Sequence, residues 1–236
     1  MASRAFALSL VVLLVGACAG SHRAPMMQMP LFTRRGQTEA GLMVRPASPR
    51  AEVGGVVRVA ATEHLRLGAS VSGATRRSDD ERLYDGARLR LSSSLYTEGF
   101  VGAEWSGLLF RYGALVGSGY GSTQYAARTC SAQGLASGCV PVASEARAFR
   151  YVRSYGQLHV ALAPPGPLLV GLAVRVPFVV DLSRGTSAES DVGPELGLLH
   201  ALAFRHLRLD LQPTWSRAQG FAFHLALLLR FQPSRR

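Results

Sequence analysis

A chain of 236 residues can bury one sizeable core, and 48% apolar content with only 17% charged residues excludes a disordered chain and a coiled coil. The formal net charge is +11, yet all 26 basic residues are arginine, and the chain has no Lys, Ile or Asn. Those three residues share A- or T-rich codons, so their joint absence reflects a GC-rich gene, and the charge becomes a binding signal only once its positions are known.

Met1 to Ala17 carries one early charge at Arg4, an apolar run from Ala5 to Val15, and the small residues Gly16 and Ala17 ahead of Cys18. That is the layout of a secretory signal peptide, too short to remain as a membrane-spanning helix. The tetrapeptide Val15, Gly16, Ala17, Cys18 resembles the bacterial lipobox. The resemblance implies cleavage before Cys18 and acylation of that cysteine, with two or more chains giving stable anchoring. Ala19, where an Asp would favour inner-membrane retention in such lipoproteins, implies the outer membrane. The competing reading is a plain signal peptide cleaved near Ala17 or Ala19. Residues 18–38, with Pro25, Met26, Met27, Met29, Pro30, Arg34 and Arg35, show no periodicity and read as a lipidated tether to which no chemistry is assigned.

Residues 39–236 form the second unit, and there the period is two. Strands are expected at about 39–47, 52–62, 65–74, 99–106, 109–121, 148–163, 167–182, 192–204, 206–216 and 220–231. In the last, Phe221, Phe223, Leu225, Leu227, Leu229 and Phe231 share one face, while Ala222, His224, Ala226, Leu228 and Arg230 share the other. Alternation alone also suits a soluble sandwich. Three features favour an antiparallel up-and-down transmembrane β-barrel instead. Many segments are long enough for a tilted membrane strand, which needs about 9–11 residues. The less greasy face is rich in Gly, Ala and Ser with scattered ionisable groups: Arg58, Arg66, Glu104, Arg111, Arg153, Arg175, Asp181, Glu195, Arg208, Asp210 and Arg230. Small residues leave room inside a narrow barrel, and opposite charges pair there; Arg153, Arg175, Asp181, Glu195, Arg208, Asp210 and Arg230 are the expected luminal charge network. The greasy face carries Trp105, Trp215, Phe221 and Phe231 near strand ends, as interfacial girdles do.

The connections alternate, with short turns at 62–65, 106–109, 163–167 and 204–206 and longer loops at 75–98, 122–147 and 183–191. Ten strands put both ends of the barrel on one side, where a lipid on Cys18 would sit. The run from Asp85 to Thr97 reads as a hairpin extension of an outer loop, and segment 39–47, with Pro46, is weakly patterned, so eight or twelve strands stay open. Cys130 and Cys139 enclose a short Gly-, Ser- and Ala-rich stretch, and an exported chain meets an oxidising compartment, so a disulfide is expected. Arg76 and Arg77 in an outer loop are placed to touch anionic lipopolysaccharide.

The lipobox at 15–18, the run Gly117, Ser118, Gly119, Tyr120, Gly121, the start Gly193, Pro194, Glu195 and the closing strand ending in Phe231 resemble the small bacterial outer-membrane β-barrel lipoproteins. In that family the closing aromatic is the last residue, whereas Gln232 to Arg236 follow here. The resemblance implies location in the outer membrane, with membrane lipid as the surroundings, far more than it implies an activity. No histidine pair has metal-ligand spacing and no His lies in the long loops, so neither a metal, a cofactor nor a Ser-His-Asp set is expected. His159, His206 and His224 are read as luminal, with Asp210 or Glu195 as partners. The expectation is a monomeric, lipid-anchored outer-membrane barrel with a structural, envelope or narrow-pore role, without catalysis and without a nucleic-acid partner. The alternative is a soluble periplasmic lipocalin-like lipoprotein that turns its greasy face inward around an apolar ligand.

Overall fold

A strand with two unlike faces needs two unlike surroundings, and a sheet closed on itself supplies them without leaving an open edge. The computed structural model describes residues 26–29, 35–47, 50–75, 81–84, 87–130, 141–164, 166–182, 188–189, 193–216 and 220–232. In chain order the strands are β1 (Thr38–Ala47), β2 (Arg50–Ala60), β3 (Leu65–Thr75), β4 (Glu81–Tyr84), β5 (Ala87–Ser106), β6 (Phe110–Cys130), β7 (Pro141–Leu162), β8 (Leu168–Asp181), β9 (Ala188–Glu189), β10 (Glu195–Ala203), β11 (Leu207–Ser216) and β12 (Gly220–Phe231). Ten of these pair antiparallel in the cycle β1, β2, β3, β5, β6, β7, β8, β10, β11, β12 and back to β1, a closed up-and-down barrel. β4 and β9 are short additions to β5 and β8.

Thr38 pairs with Phe231, so β1 starts and β12 finishes at one rim, which also carries the connections 61–64, 107–109, 163–167 and 204–206. Chain entry at this turn rim uses Gly36 at φ 73°, a left-handed conformation that costs glycine little. That bend lets the Gly36 N–H donate to the Ala60 carbonyl (2.7 Å) as β1 begins.

The far rim departs from the sequence expectation. Most of 75–98 and 122–147, expected as loops, is strand: β5, β6 and β7 have 20, 21 and 22 residues. The hairpin expected from Asp85 onward exists, with Glu81 opposite Arg90, but its second arm runs unbroken into the wall. The signal failed because the surroundings change along the strand. Outward residues of β6 pass from Phe110, Tyr112 and Val116 to Ser122 and Gln124, so the greasy alternation stops while the ladder to β7 continues to Cys130. A wall crossing takes about 10 residues, which leaves about as many again standing above the barrel mouth. Cys130 ends β6 opposite Pro141. Cys18, Cys139, Arg76, Arg77 and the segment read as a signal peptide lie outside the described residues.

The two faces differ sharply: the buried charges lie inside, and the outer face carries a band of exposed large apolar side chains. Leu42, Leu158 and Val176 stand outward at 64%, 67% and 62% exposure, whereas Arg58, Arg153, Arg175 and Arg208 inside are at 0%. Outward aromatics gather at two levels. Near the turn rim Trp105 stacks on Tyr112 at 5.9 Å, with Phe110 and Phe231 exposed beside that level. Near the other rim Trp215 pairs with Phe221, which meets Phe223 edge-on at 4.7 Å. From Phe221 to Phe231 along β12, at about 3.3 Å per residue and roughly 40° tilt, the levels stand about 25 Å apart. The lipocalin-like alternative required the greasy face to turn inward, and the barrel has it outward.

The inside is packed by size matching between neighbouring strands. Gly117, Gly119 and Gly121 on β6 leave room for the rings of Tyr155, Tyr96 and Tyr151, each of which covers its glycine so closely that a Cβ there would overlap the ring. Tyr96 and Tyr151 stack at 6.2 Å, and the Arg175 guanidinium lies 4.2 Å from the Tyr155 ring centroid. A cation over an aromatic face is attracted by the ring quadrupole, more so away from bulk water.

Candidate functional site

The lumen holds the chemistry. Towards the turn rim, Glu39 at the start of β1 is shared by three arginines: Arg58 of β2 (3.6 Å), Arg208 of β11 (3.3 Å) and Arg230 of β12 (3.0 Å). Asp210 joins them, 2.6 Å from Arg208 Nε and 3.3 Å from Arg58 Nη1. Beside this group Arg66 pairs with Glu104 at 3.5 Å. Further up, Glu195 at the head of β10 pairs with Arg153 and lies 3.9 Å from Arg175, its register partner on β8. Alternation places all these side chains on the inner face, and the curvature of the wall lets an arginine reach carboxylates up to three strands away, as Arg58 of β2 reaches Asp210 of β11.

The seven residues named from the sequence as a luminal network are thus all buried, but they fall into separate groups. Arg208, Asp210 and Arg230 belong to the turn-rim group, Arg153, Arg175 and Glu195 to the upper one, and Asp181 lies higher still, opposite Tyr151. Sequence reasoning missed Glu39, the hub, because it opens a weakly patterned segment. It also passed over Glu98, Gln157 and Gln212, since Glu98 fell in a stretch taken for loop and an uncharged Gln on a small-residue face gives no signal. Of the histidines expected inside, His159 and His224 are luminal, but His206 is exposed on its turn. Neither luminal histidine pairs with Asp210 or Glu195: both ring nitrogens of His159 and Nε2 of His224 lack a protein hydrogen-bond partner, and the His159 ring lies over Gly113.

Between the two charge groups sits a short piece of chain that does not belong to the wall. Met26, Met27, Gln28 and Met29, expected as part of a featureless tether, lie inside the lumen at 0–2% exposure. Among the described residues the segment pairs with no strand, which is why it lacks periodicity; luminal side chains bond its four carbonyls and the Met27 N–H. The Met26 carbonyl accepts from Arg175 Nη2 (3.2 Å) and the Gln28 carbonyl from Gln157 Nε2, while the Met29 carbonyl accepts from Arg208 Nη2 (3.0 Å). Gln212 clamps Met27 on both sides: its Oε1 accepts from the Met27 N–H (3.0 Å) and its Nε2 donates to the Met27 carbonyl (3.1 Å). The Gln28 side chain accepts from Arg58 Nε of the turn-rim group at 3.0 Å and donates to Glu98 on β5 at 3.2 Å.

The methionines fill apolar patches in an otherwise polar lumen. Met27 and Met29 pack with Ala161, Leu169, Ala173, Leu199 and Ala201, and Met26 packs with Met43, Val56, Ala226 and Leu228. Unbranched, polarisable Met suits such irregular seats. The seat of Met27 depends on Gly197, where a Cβ would come within 2.7 Å of the Met27 sulfur. The assembled site holds a short peptide segment inside the lumen through its backbone and its methionine side chains. Among the described residues no group of three His, Cys, Asp or Glu side chains is arranged to hold a metal ion.

Fold and site together define a closed ten-stranded antiparallel barrel with an apolar exterior and a charged lumen occupied by its own chain. No family model matches the sequence, and no curated protein matches it. Among solved structures, two mutants of a porin from Rh. blastica are similar over 83% of this chain and 98% of theirs, each at TM-score 0.27, with 9% and 10% identity. A structure titled for the asymmetric conductivity of engineered proteins covers the same shares at TM-score 0.26 and 9% identity.

Proposed function

We propose that this protein is an outer-membrane β-barrel, lipid-anchored through Cys18, with a lumen sealed at rest and a structural or envelope role without catalysis. The observation that carries the reading is the band of exposed large apolar side chains around the outside of a closed barrel whose buried arginines and carboxylates all face inward. An apolar surface of that extent far exceeds what a soluble monomer exposes, and two aromatic levels about 25 Å apart match the apolar band of membrane barrels. The turn rim, where β1 begins, faces the periplasm in this reading, and the tall β4–β7 sheet stands outside. The noncatalytic part of the reading leans on the burial of the two luminal histidines, His159 and His224, at 5% and 4% exposure. A disulfide between Cys130 and Cys139 would brace the top of the tall sheet, a ring of this size being worth roughly 2–3 kcal/mol.

The test is electrophoretic mobility of the detergent-folded protein with and without boiling, combined with metabolic fatty-acid labelling. A heat-dependent mobility shift, with label lost in Cys18→Ala, is expected. A protein that shows no shift and stays in aqueous solution without its N-terminal segment would sink the membrane reading. Label retained in Cys18→Ala would sink the anchor alone.

A further inference from the structure

We propose that the lumen is a peptide-binding site and that Met26–Met29 is its resident, exchangeable ligand rather than a fixed part of the barrel core. The inference deepens the reading of a sealed lumen, but it requires only the closed barrel and not the membrane.

Three observations carry it. First, among the described residues the hydrogen bonds to the backbone of the segment all come from side chains. Every wall strand already has a ladder partner on both sides, so withdrawal of the segment breaks no strand pairing. Second, recognition is of backbone. All four carbonyls of Met26–Met29 accept hydrogen bonds from luminal Arg or Gln side chains, and Gln212 reads both the N–H and the carbonyl of one residue, as a neighbouring strand would. Such contacts take any extended peptide in this register. Third, specificity lies in the side-chain seats. Gly197 floors the Met27 seat, and the Met29 sulfur lies 3.5 Å from where a Cβ on Gly171 would be, so the wall accommodates long unbranched apolar side chains at these positions. Between them a single amide side chain is matched by Arg58 as donor and Glu98 as acceptor. The ligand class is therefore an extended peptide with unbranched apolar residues flanking a central Gln. Emptied, the lumen would keep its Arg and Gln groups in water, where they remain solvated, so the vacant state is accessible. Tethering only nine residues from Thr38 gives the resident segment an effective concentration on the order of millimolar.

The experiment uses the chain lacking residues 19–30 and a capped synthetic peptide with the sequence of residues 25–30, titrated calorimetrically in detergent. Saturable one-to-one binding to the deleted barrel is expected, with no heat from the intact chain at the same peptide concentration. Affinity should fall about tenfold or more when the peptide carries Gln at position 27, and binding should vanish when the deleted barrel also carries Gly197→Leu. The intact chain with Gly197→Leu should fold, shown by its circular dichroism, and its Met27 should become oxidisable by dilute peroxide, as read by mass spectrometry. A folded deletion variant that binds no peptide overturns the proposal. So does a deletion variant that cannot fold while Gly197→Leu protects Met27 as well as the parent, because the segment is then core. Since no arm needs a bilayer, these failures are distinct from failure of the mobility test.

Discussion

Tyr151 closes over Gly121. The two residues are register partners across β6 and β7, and the ring occupies the space that any side chain at Gly121 would need. The neighbouring glycines at 117 and 119 take Tyr155 and Tyr96 in the same way, so the Gly-x-Gly-x-Gly run works as a row of sockets for tyrosines on the adjoining strands. Overpacking a filled site typically costs about 1–3 kcal/mol. Gly121→Val should therefore destabilise the refolded barrel by about 2–3 kcal/mol in urea titration, and Tyr151→Ala in the same chain should recover part of that loss. Gly156→Ala, with nothing within 4 Å of its Cβ position, should leave the midpoint unchanged. Equal effects at Gly121 and Gly156 would show that strand propensity, not the socket, is being measured.

Glu39 is the one carboxylate shared by three strands of the turn-rim charge group, and it is fully buried. Removing one member of a buried ion group leaves the others uncompensated, which costs about 3–5 kcal/mol in a dry interior. Glu39→Gln keeps the shape and removes the charge, so a loss of about 3 kcal/mol is expected. Glu63→Gln, at an exposed turn position, should stay within about 0.5 kcal/mol. The comparison is made by denaturant unfolding in one detergent. A Glu39→Gln barrel as stable as the Glu63→Gln control would mean that water in the lumen replaces the carboxylate.

How much of this was legible before the structure depends on what surrounds each residue. Where one side of a strand faces an apolar exterior and the other a narrow lumen, the two faces differ enough that β8, β11 and β12 are placed correctly to within a few residues from alternation alone. The tall parts of β5, β6 and β7 lack that contrast, because polar side chains such as Ser93, Ser122 and Gln124 take outward positions there. The Gly117, Gly119 and Gly121 row was readable as close packing, but its tyrosine partners were not, since they lie about 30 residues along the chain and pairing register has no local signature. Met26–Met29 was illegible for a different reason. Its position follows from hydrogen bonds to Gln157 on β7, Arg175 on β8, and Arg208 and Gln212 on β11, three strands far from it in sequence, and no periodicity records contacts of that kind.

Gln212 offers a test of how the resident segment is held in the intact chain. Both of its amide atoms are committed to the Met27 backbone, and the residue is fully buried. Gln212→Leu removes two hydrogen bonds and leaves the Met27 N–H and carbonyl without partners in the lumen, a cost of about 1–3 kcal/mol for a buried polar group left unpaired. Gln212→Glu retains an acceptor for the Met27 N–H and loses the donor to the carbonyl. The expected order of hydrogen-exchange protection at the Met27 amide is parent, then Gln212→Glu, then Gln212→Leu, with barrel amides of β11 and β12 unaffected. Equal protection in all three would mean that the methionine seats alone hold the segment.

Leu227 distinguishes a membrane barrel from a soluble one most directly. It stands outward on β12, midway between the aromatic levels, at 51% exposure. In water an arginine at such a position is harmless or raises solubility, because a half-exposed surface substitution away from special features changes stability by at most about 0.5 kcal/mol. At the middle of a bilayer the same change costs about 2–4 kcal/mol, falling towards zero near the interface. Leu227→Arg should therefore lower the folding free energy in lipid vesicles by about 3 kcal/mol, while arginine at Phe231, level with the turn rim, should cost less than about 1 kcal/mol. A flat profile along β12 would mean that the greasy face meets something other than lipid, since only a bilayer imposes a penalty that rises and falls with depth along one strand.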